Sequence, residues 1–227
     1  MCGRYGFYKV DEFGERFGVK PPAFTIKDNY NAAPGQILPV IMQSEYGKTL
    51  EPMKWGMIPA WAKDDRIGYK MINARSETLF EKSAWRGPIK YHRCLVPARG
   101  FYEWDKIQID GKAAKQPYYI RPEGQDLFVF AGVFDTWHDL QGNEIWSYAI
   151  VTTRANKEMS AIHDRQPVIL KPRDEALWLE PSLQDRGAIE DILRSYDDVK
   201  WNMVEVSRDV NVIRNNDERL IYPINSQ

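Results

Sequence analysis

Strand patterns separated by glycines fill the middle of this chain and constrain its fold more than any other feature. Five runs rich in β-branched and aromatic residues lie at 94–96, 100–104, 117–120, 127–136 and 145–153. Gly111, Gly124 and Gly142 separate the later runs and predict turns. Strands that follow one another without strand–helix–strand alternation pair antiparallel. We therefore predict an α+β fold built on a mainly antiparallel, barrel-like β-sheet.

Segments with helical spacing on either side of this middle predict flanking helices. These segments cover residues 11–19, 76–85, 156–162, 172–179 and 183–196. Further strands are predicted at 37–43, 51–58, 168–170 and 201–206. No repeat, low-complexity tract or linker interrupts the 227 residues, so we expect a single domain spanning residues 1–227.

The charge balance excludes a protein that coats nucleic acid through its overall charge. Lys and Arg number 31 and Asp and Glu number 32, which gives a formal net charge of −1. Any nucleic-acid site must therefore be a local basic patch. The hydrophobic fraction of 43% is ordinary for a water-soluble globular protein.

Cysteine usage and hydropathy exclude several other classes. The two cysteines, Cys2 and Cys94, cannot make a disulfide framework, and no Cys/His cluster has zinc-ligand spacing. We expect Cys94 to pack as a small buried hydrophobe, and we expect neither a metal nor a cofactor. No apolar run approaches 18 residues and no signal region opens the chain. We expect a cytoplasmic monomer that does not bind membranes.

Cys2 is the most reactive candidate in the sequence. The initiator methionine is usually removed when the next residue is small, and removal of Met1 would leave Cys2 with a free α-amine beside its thiol. Such a 1,2-aminothiol condenses with an aldehyde to an imine, and the thiol then closes a thiazolidine ring. The α-amine has a reference pKa of about 7.7–8.0, against about 10.4 for lysine, so it is the better imine former at pH 7.

Other reactive or polar side chains lie beside glycine and proline turns. The segments that carry them are Cys2-Gly3-Arg4, Tyr30-Asn31-Ala32-Ala33-Pro34-Gly35, Asn73-Ala74-Arg75-Ser76-Glu77, Gly100-Phe101-Tyr102-Glu103-Trp104 and His163-Asp164-Arg165-Gln166-Pro167. In the fourth segment a lone carboxylate is bracketed by aromatic residues, a setting that raises the pKa of a carboxyl group by desolvation. Each segment also has an ordinary structural interpretation, such as a turn residue, a helix cap or a surface ion pair.

The combination of these segments is far more specific than any one of them. Met-Cys-Gly-Arg, Tyr-Asn-x-Ala-Pro-Gly, Trp-Gly-x-x-Pro, Asn-Ala-Arg-x-Glu, Gly-Phe-Tyr-Glu-Trp and His-x-Arg-x-Pro follow in order from residue 2 to about residue 170. In this the chain resembles the SOS response-associated peptidase (SRAP) family. Members of that family link covalently to abasic sites in single-stranded DNA.

The resemblance implies four catalytic residues. The linking residue is the cysteine after the initiator methionine, here Cys2, and the family's active-site Asn, Glu and His fall on Asn73, Glu103 and His163. Asn73 would orient the terminal amine or a sugar hydroxyl. Glu103 and His163 would share the proton transfers, in a division that the sequence leaves open. The resemblance also implies that Cys2 releases its own amine by autoproteolysis after Met1.

The resemblance further implies the DNA contacts and the partner. Phosphates would be contacted by Arg4, Arg75 and Arg165. Trp61 and Trp104 would stack on bases, which is tolerant of sequence. Pro34 would help to turn the strand beside Asn31. The expected partner is single-stranded DNA with abasic sites, including junctions with duplex, and the bound protein would be associated with the nucleoid.

Two other function classes remain to be weighed. Glutaminases of the N-terminal-nucleophile type also begin Met-Cys-Gly, but they need an oxyanion-hole Asn-Gly pair, and this chain has only the reversed pair Gly142-Asn143. A non-catalytic module that binds single-stranded DNA would explain the arginines and tryptophans but leave Cys2 without a role.

Overall fold

Antiparallel strands make up most of the molecule. The computed structural model describes residues 2–109, 111–194 and 198–224. In these ranges the strands are β1 (Tyr5–Phe7), β2 (Asn29–Ala32), β3 (Ile37–Ser44), β4 (Gly47–Trp55), β5 (Asn73–Arg75), β6 (Arg93–Ala98), β7 (Gly100–Ile109), β8 (Lys112–Pro122), β9 (Phe128–His138), β10 (Glu144–Arg154), β11 (Arg165–Pro167) and β12 (Trp201–Glu205). The predicted α+β fold with a mainly antiparallel, barrel-like sheet is confirmed.

Five strands close into a barrel. β10, β4, β3, β6 and β9 pair in that order, and β9 pairs back to β10. Every pair in this ring is antiparallel except β10 with β4. Gly132 lies opposite Cys94 between β9 and β6, and a Cβ at Gly132 would come within 2.7 Å of the Cys94 Sγ. The close approach of these two strands therefore requires a glycine.

A second sheet packs one face against the barrel. Its strand order is β12-β8-β7-β1-β2. The rings of Phe101 on β7 and Tyr5 on β1 both lie 5.9 Å from the ring of Phe130 on β9, and all three are buried. Because successive side chains of a strand point to opposite faces, Tyr102 faces away from the barrel. There it packs in a small second cluster with Tyr119, Val206, Val210 and Leu220.

Short helices flank the sheets. They are α1 (Phe13–Phe17), α2 (Pro88–Tyr91), α3 (Pro172–Leu179) and α4 (Arg186–Arg194). The prediction for 172–179 is confirmed. The predicted helix at 183–196 starts later, and its last two positions lie outside the described residues. No helix among the described residues is long and apolar enough to span a bilayer.

The predicted helix over 76–85 is wrong. A single 3₁₀ turn, Ser76–Thr78, is followed by non-helical turns up to α2. The buried anchors of this segment, Leu79 and Trp85, are six residues apart. At 100° a residue they would lie about 120° apart around a helix, wider than the apolar stripe of roughly 100° that a surface helix usually buries.

Two shorter predictions are also corrected. The predicted helix over 156–162 is only a 3₁₀ turn, Met159–Ala161, preceded by Asn156, whose Oδ1 accepts from Met159 N at 3.0 Å. The predicted strand over 168–170 is displaced to β11, because Arg165–Pro167 takes the free edge of β10, and Ile169 keeps only an isolated bridge to Phe130.

The end of β10 gathers the segments that carry the candidate residues. Thr152 of β10 lies opposite Arg75 of the parallel strand β5 on one edge and opposite Pro167 of β11 on the other. The segment that leads into β1 reaches the same place from the second sheet, since Asn73 Nδ2 on β5 donates to Cys2 O at 3.0 Å. The site therefore forms where barrel and sheet meet.

Candidate active site

Cys2 lies in the interior just before β1. Its side chain is fully buried, and its Sγ lies 3.8 Å from the carbonyl oxygen of Arg4. Burial, followed by the negative charge of Glu103, raises the pKa of the Cys2 thiol. At neutral pH the sulfur is therefore a protonated thiol rather than a thiolate.

Asn73 is held against the main chain of Cys2. Its Nδ2 donates to the carbonyl oxygen of Cys2 at 3.0 Å across 71 residues of sequence. Two hydrogen bonds fix the main chain just before Asn73: Ile72 O accepts from Ile150 N at 3.1 Å and from Trp55 Nε1 at 3.0 Å. Among the described residues the buried Oδ1 of Asn73 has no hydrogen-bond partner. The Asn73 amide thus binds the Cys2 main chain through Nδ2, and its Oδ1 can accept a hydrogen bond from another group.

Glu103 supplies a carboxyl group that titrates near neutral pH. It lies on β7 on the same face as Phe101 and is only 3% exposed. Burial raises the pKa of Glu103 to about 7, and the charge of Asp164 adds to the shift. In the antiparallel register of β1 with β7, Tyr5 lies opposite Phe101 and Tyr102 N donates to Arg4 O, so Glu103 lies beside the segment of Cys2. Both residues are buried, and the charge of Glu103 acts on the thiol. The carboxyl group can both accept and return a proton at pH 7.

His163 follows the Met159–Ala161 turn and precedes β11. Its Nδ1 accepts from Arg165 N at 3.0 Å, although the Asp164 carboxylate also lies 2.9 Å away. A main-chain N–H can only donate, so Nδ1 holds a lone pair and the neutral ring carries its proton on Nε2. Burial lowers the pKa of His163, which favours this neutral form. Its Nε2–H is thus a hydrogen-bond donor.

Arg165 is buried and paired. Its guanidinium donates two parallel hydrogen bonds of 2.9 Å to the Glu77 carboxylate and a third of 2.7 Å to Thr152 O. Only 7% of the residue is exposed. Arg165 thus ties the turn after β5 to the segment of His163.

Arg4 and Asn31 face the C-terminal segment. Arg4 Nη1 donates to Asn31 Oδ1 at 2.7 Å and to Val210 O at 2.8 Å, and Arg4 is half-buried. The buried Asn31 donates to the carbonyls of Val210 and Asn215. Both residues hold this segment against the sheet.

Trp104 lies on β7, and Pro34 follows β2. The half-buried Trp104 donates through Nε1 to Asn211 Oδ1 at 2.8 Å. Pro34 opens a turn with Gly35, which has φ +86° and therefore favours glycine.

An open cleft adjoins Asn73 on the other side. It has a volume of about 710 Å³, and the cations Lys70, Arg75 and Lys82 line it together with Trp61 but with no acidic residue. None of these three cations forms an ion pair within the part of the chain that the structure describes. Trp61 is 59% exposed. The cleft is therefore a basic surface with an accessible aromatic ring.

The predicted site residues thus fall into three groups. Cys2, Asn73 and Glu103 meet in the interior, with His163 and Arg165 on the adjoining segment. Trp61 and Arg75 lie in the cleft. A third group, Arg4, Asn31 and Trp104, bonds to the C-terminal segment, and Pro34 lies in the turn after β2. No cluster of His, Cys, Asp and Glu suited to a metal occurs in the described ranges.

Sequence reasoning missed several residues that shape the site. Glu77 stood in the Asn-Ala-Arg-x-Glu motif, but nothing marked it as the partner of Arg165. Lys70 and Lys82 lie outside every motif, so only the folded cleft brings them beside Arg75. A search for cations near the motif, rather than within it, would have found them.

Comparisons with known proteins identify the family of this chain. A family model described as SOS response associated peptidase (SRAP) matches residues 1–213. The abasic site processing protein YoqW of Bacillus subtilis is 40% identical over 224 residues, which cover 97% of this chain and 99% of that protein. The abasic site processing protein HMCES of Gallus gallus is 32% identical and covers 87% of this chain and 67% of that protein. A crystal structure of a protein from Bacteroides thetaiotaomicron has a TM-score of 0.84 at 27% identity and covers 98% of this chain and 99% of that chain. This chain therefore belongs to the SOS response-associated peptidase family.

Proposed function

We propose that this protein captures abasic sites in single-stranded DNA covalently, through Cys2 after removal of Met1. Relatives named abasic site processing proteins support the substrate. The observation that carries the proposal is the hydrogen bond of 3.0 Å from Asn73 Nδ2 to the Cys2 carbonyl oxygen. The buried Glu103, whose pKa is raised to about 7, supports it. Together they orient the amine and serve the proton transfers that the chemistry needs.

The capture chemistry balances without a cofactor. An abasic sugar opens to an aldehyde, and the Cys2 amine adds to the aldehyde carbon. Loss of one water leaves an imine. The sulfur then bonds to the imine carbon while the thiol proton reaches nitrogen, which closes a thiazolidine. One water leaves, and no oxidation or reduction occurs.

The protonation state of the thiol fits ring closure. Because the pKa of the Cys2 thiol is raised, it is a poor nucleophile towards other proteins. Ring closure is intramolecular, and a high effective molarity offsets the low thiolate fraction. Glu103 is the base that takes the thiol proton and returns it to nitrogen, since its carboxyl group is partly ionised at pH 7. His163, with its proton on Nε2, donates towards the sugar oxygen as the ring opens.

Removal of Met1 belongs to the same proposal. Hydrolysis of the bond between Met1 and Cys2 consumes one water and releases the Cys2 amine. The raised thiol pKa supports a self-processing step at this bond rather than a general peptidase.

We propose that the surfaces around Cys2, Asn73 and Glu103 bind the DNA strand. Arg4, Arg75 and Arg165 would contact phosphates, although Arg165 must first leave the Glu77 carboxylate. Trp61 and Trp104 would stack on bases, with Asn31 and Pro34 shaping the path of the strand. Stacking needs exposed base faces, so single strands and their junctions with duplex are the expected substrates. We also propose that the protein works as a monomer.

One denaturing gel tests the proposed function. The protein without Met1 is mixed with abasic DNA as a single strand, a junction and a duplex, and with undamaged single strand. We expect a heat-stable shifted band on the first two and a much slower reaction on duplex. A complex that disappears on denaturation would favour a non-catalytic binding module.

A further inference from the structure

The loop that carries Trp61 is fixed by three hydrogen bonds from the barrel. Ile58 N donates to Ser147 Oγ at 2.8 Å, and Ala60 N donates to Asp135 Oδ2 at 3.0 Å. Trp137 Nε1 donates to the carbonyl oxygen of Ala62 at 2.8 Å. The anchors come from β9 and β10, so main-chain groups on both sides of Trp61 are tied to the rigid barrel.

The start of the same loop is equally constrained. Gly56 has φ +118°, and a Cβ there would come within 2.6 Å of Gly68 O. Gly56 N donates to Tyr148 O at 2.9 Å, and Met57 N donates to Met71 O at 3.1 Å. The loop thus begins at a close contact between Gly56 and Gly68 that only glycine permits, and it has little freedom to move as a unit.

Trp61 itself stands out from this fixed base. Its side chain is 59% exposed at the basic cleft, whereas Ile58, two residues after Gly56, is fully buried. A large aromatic side chain in water keeps its rotamer freedom, so its main chain decides where the ring can reach. Stacking is stronger when that main chain is already in place before the ligand arrives.

We infer that Asp135 is a positioning residue, which acts through the Ala60 N–H to hold Trp61 where a base of the DNA strand stacks. The inference rests on the proposed function, because it takes single-stranded DNA as the ligand. Asp135 is suited to this role, because its two carboxylate oxygens accept from Ala60 N and Thr136 N, each at 3.0 Å. The first bond reaches the residue next to Trp61, and the second holds the carboxylate to its own strand.

A double-mutant cycle tests the inference. Affinity for labelled, undamaged single-stranded DNA is measured by fluorescence anisotropy for wild type, D135A, W61A and the double variant. Each single variant should weaken binding about tenfold, the size of one stacking contact. Adding D135A to W61A should change the affinity less than twofold, because the ring that Asp135 positions is gone.

Two further variants separate positioning from general damage. Asp135→Asn keeps an acceptor for Ala60 N–H and should restore most of the affinity. Asp135→Glu moves both oxygens and enters the same cycle, so the test survives if D135A does not fold. Asp139→Asn is the matched control: Asp139 lies in the β9–β10 hairpin and accepts from main-chain N–H groups of Gln141 and Asn143, but it does not reach the loop.

The two proposals fail in different ways. Wild type that binds the strand but gives no covalent adduct would reject the proposed function and leave the cycle measurable. Additive losses in the double variant, or no loss in D135A and D135E, would overturn the inference. So would an equal loss in D139N. Capture rate at saturating abasic DNA should stay within about twofold of wild type in D139N, because Asp139 bonds only within its own hairpin.

Discussion

The interior group and the basic cleft adjoin at Asn73 but differ in every electrostatic respect. In the interior, Cys2 and Glu103 are at most 3% exposed, and burial raises the pKa of both. In the cleft, Arg75 is exposed and forms no ion pair with any described residue. Elsewhere many exposed arginines are paired, as Arg66 is with Asp64 at 2.8 Å.

We expect the two regions to have different functions, proton transfer in the interior and DNA binding in the cleft. Desolvation tunes proton transfer, which is sensitive to pH and hardly to salt. Exposed charges hold a polyanion, which is sensitive to salt. Changes in the interior should therefore alter the rate of capture and its pH dependence, whereas changes in the cleft should alter affinity and its salt dependence.

The largest effect is expected at Cys2. Cys2→Ala keeps an α-amine but has no thiol to close the ring, so the heat-stable adduct should be lost completely. Cys2→Ser should also lose it, yet its imine should still be trapped by borohydride. Denaturing gels with and without borohydride measure both. An Ala variant that captures DNA as stably as wild type would exclude the thiazolidine.

Glu103→Gln should slow capture by about 10²–10⁴-fold, the usual contribution of a positioned acid–base group. Gln keeps the shape of Glu103 but cannot take a proton. In wild type the rate should fall as the pH drops below about 7, where Glu103 becomes protonated. The variant should lack the inflection near pH 7 and keep only that of the Cys2 α-amine, whose reference pKa is about 7.7–8.0. Single-turnover rates from pH 5.5 to 8.5 check it, and identical profiles would remove Glu103 from the proton transfers.

The same variant should stabilise the protein at high pH. The pKa of Glu103 is raised from 4.5 to about 7, so the folded state holds its proton more tightly than the unfolded state. Stability is therefore lost as the pH rises from about 4.5 to 7, by on the order of 3 kcal/mol. Glu103→Gln should recover that amount at pH 8 and nothing at pH 4. Urea unfolding measures it, and an equal effect at both pH values would contradict the burial of an ionised carboxylate.

The smallest effect is expected in the cleft. Arg75→Ala should raise the DNA concentration needed for capture and lower the log–log salt slope by roughly 0.7, the value of one phosphate contact on a single strand. The rate at saturating DNA should stay near that of wild type. Arg121→Ala is the matched control, because it removes a partly exposed arginine that is already paired with Asp126. Equal slopes for wild type and Arg75→Ala would place the DNA elsewhere.

Local patterns predicted the strands well. β7 to β10 are long and follow one another in sequence. The alternation of apolar and polar side chains, together with the turn glycines, therefore predicts most of their pairing. β1, β5 and β11 are only three residues long, and their partners come from distant parts of the chain. Periodicity over a longer window cannot detect such short strands, so β1 was not predicted and β11 was displaced.

The site was predictable only in part for the same reason. The motifs identified the family, which the match over residues 1–213 confirms. The roles of Asn73, Glu103 and His163 remain predictions. Contacts that cross long stretches of sequence left no local signal: Arg165 meets Glu77 across 88 residues and Asp135 meets Ala60 across 75.

The central claim is that the α-amine and thiol of Cys2 together form the link to DNA. Intact mass and peptide mapping of the adduct, made without borohydride, test it most directly. We predict the mass of the chain lacking Met1 plus the abasic strand less one water, with the modification on Cys2, and no adduct when a permanent extension precedes Cys2. An adduct mapped to a lysine, or one formed equally by the extended chain, would contradict the account.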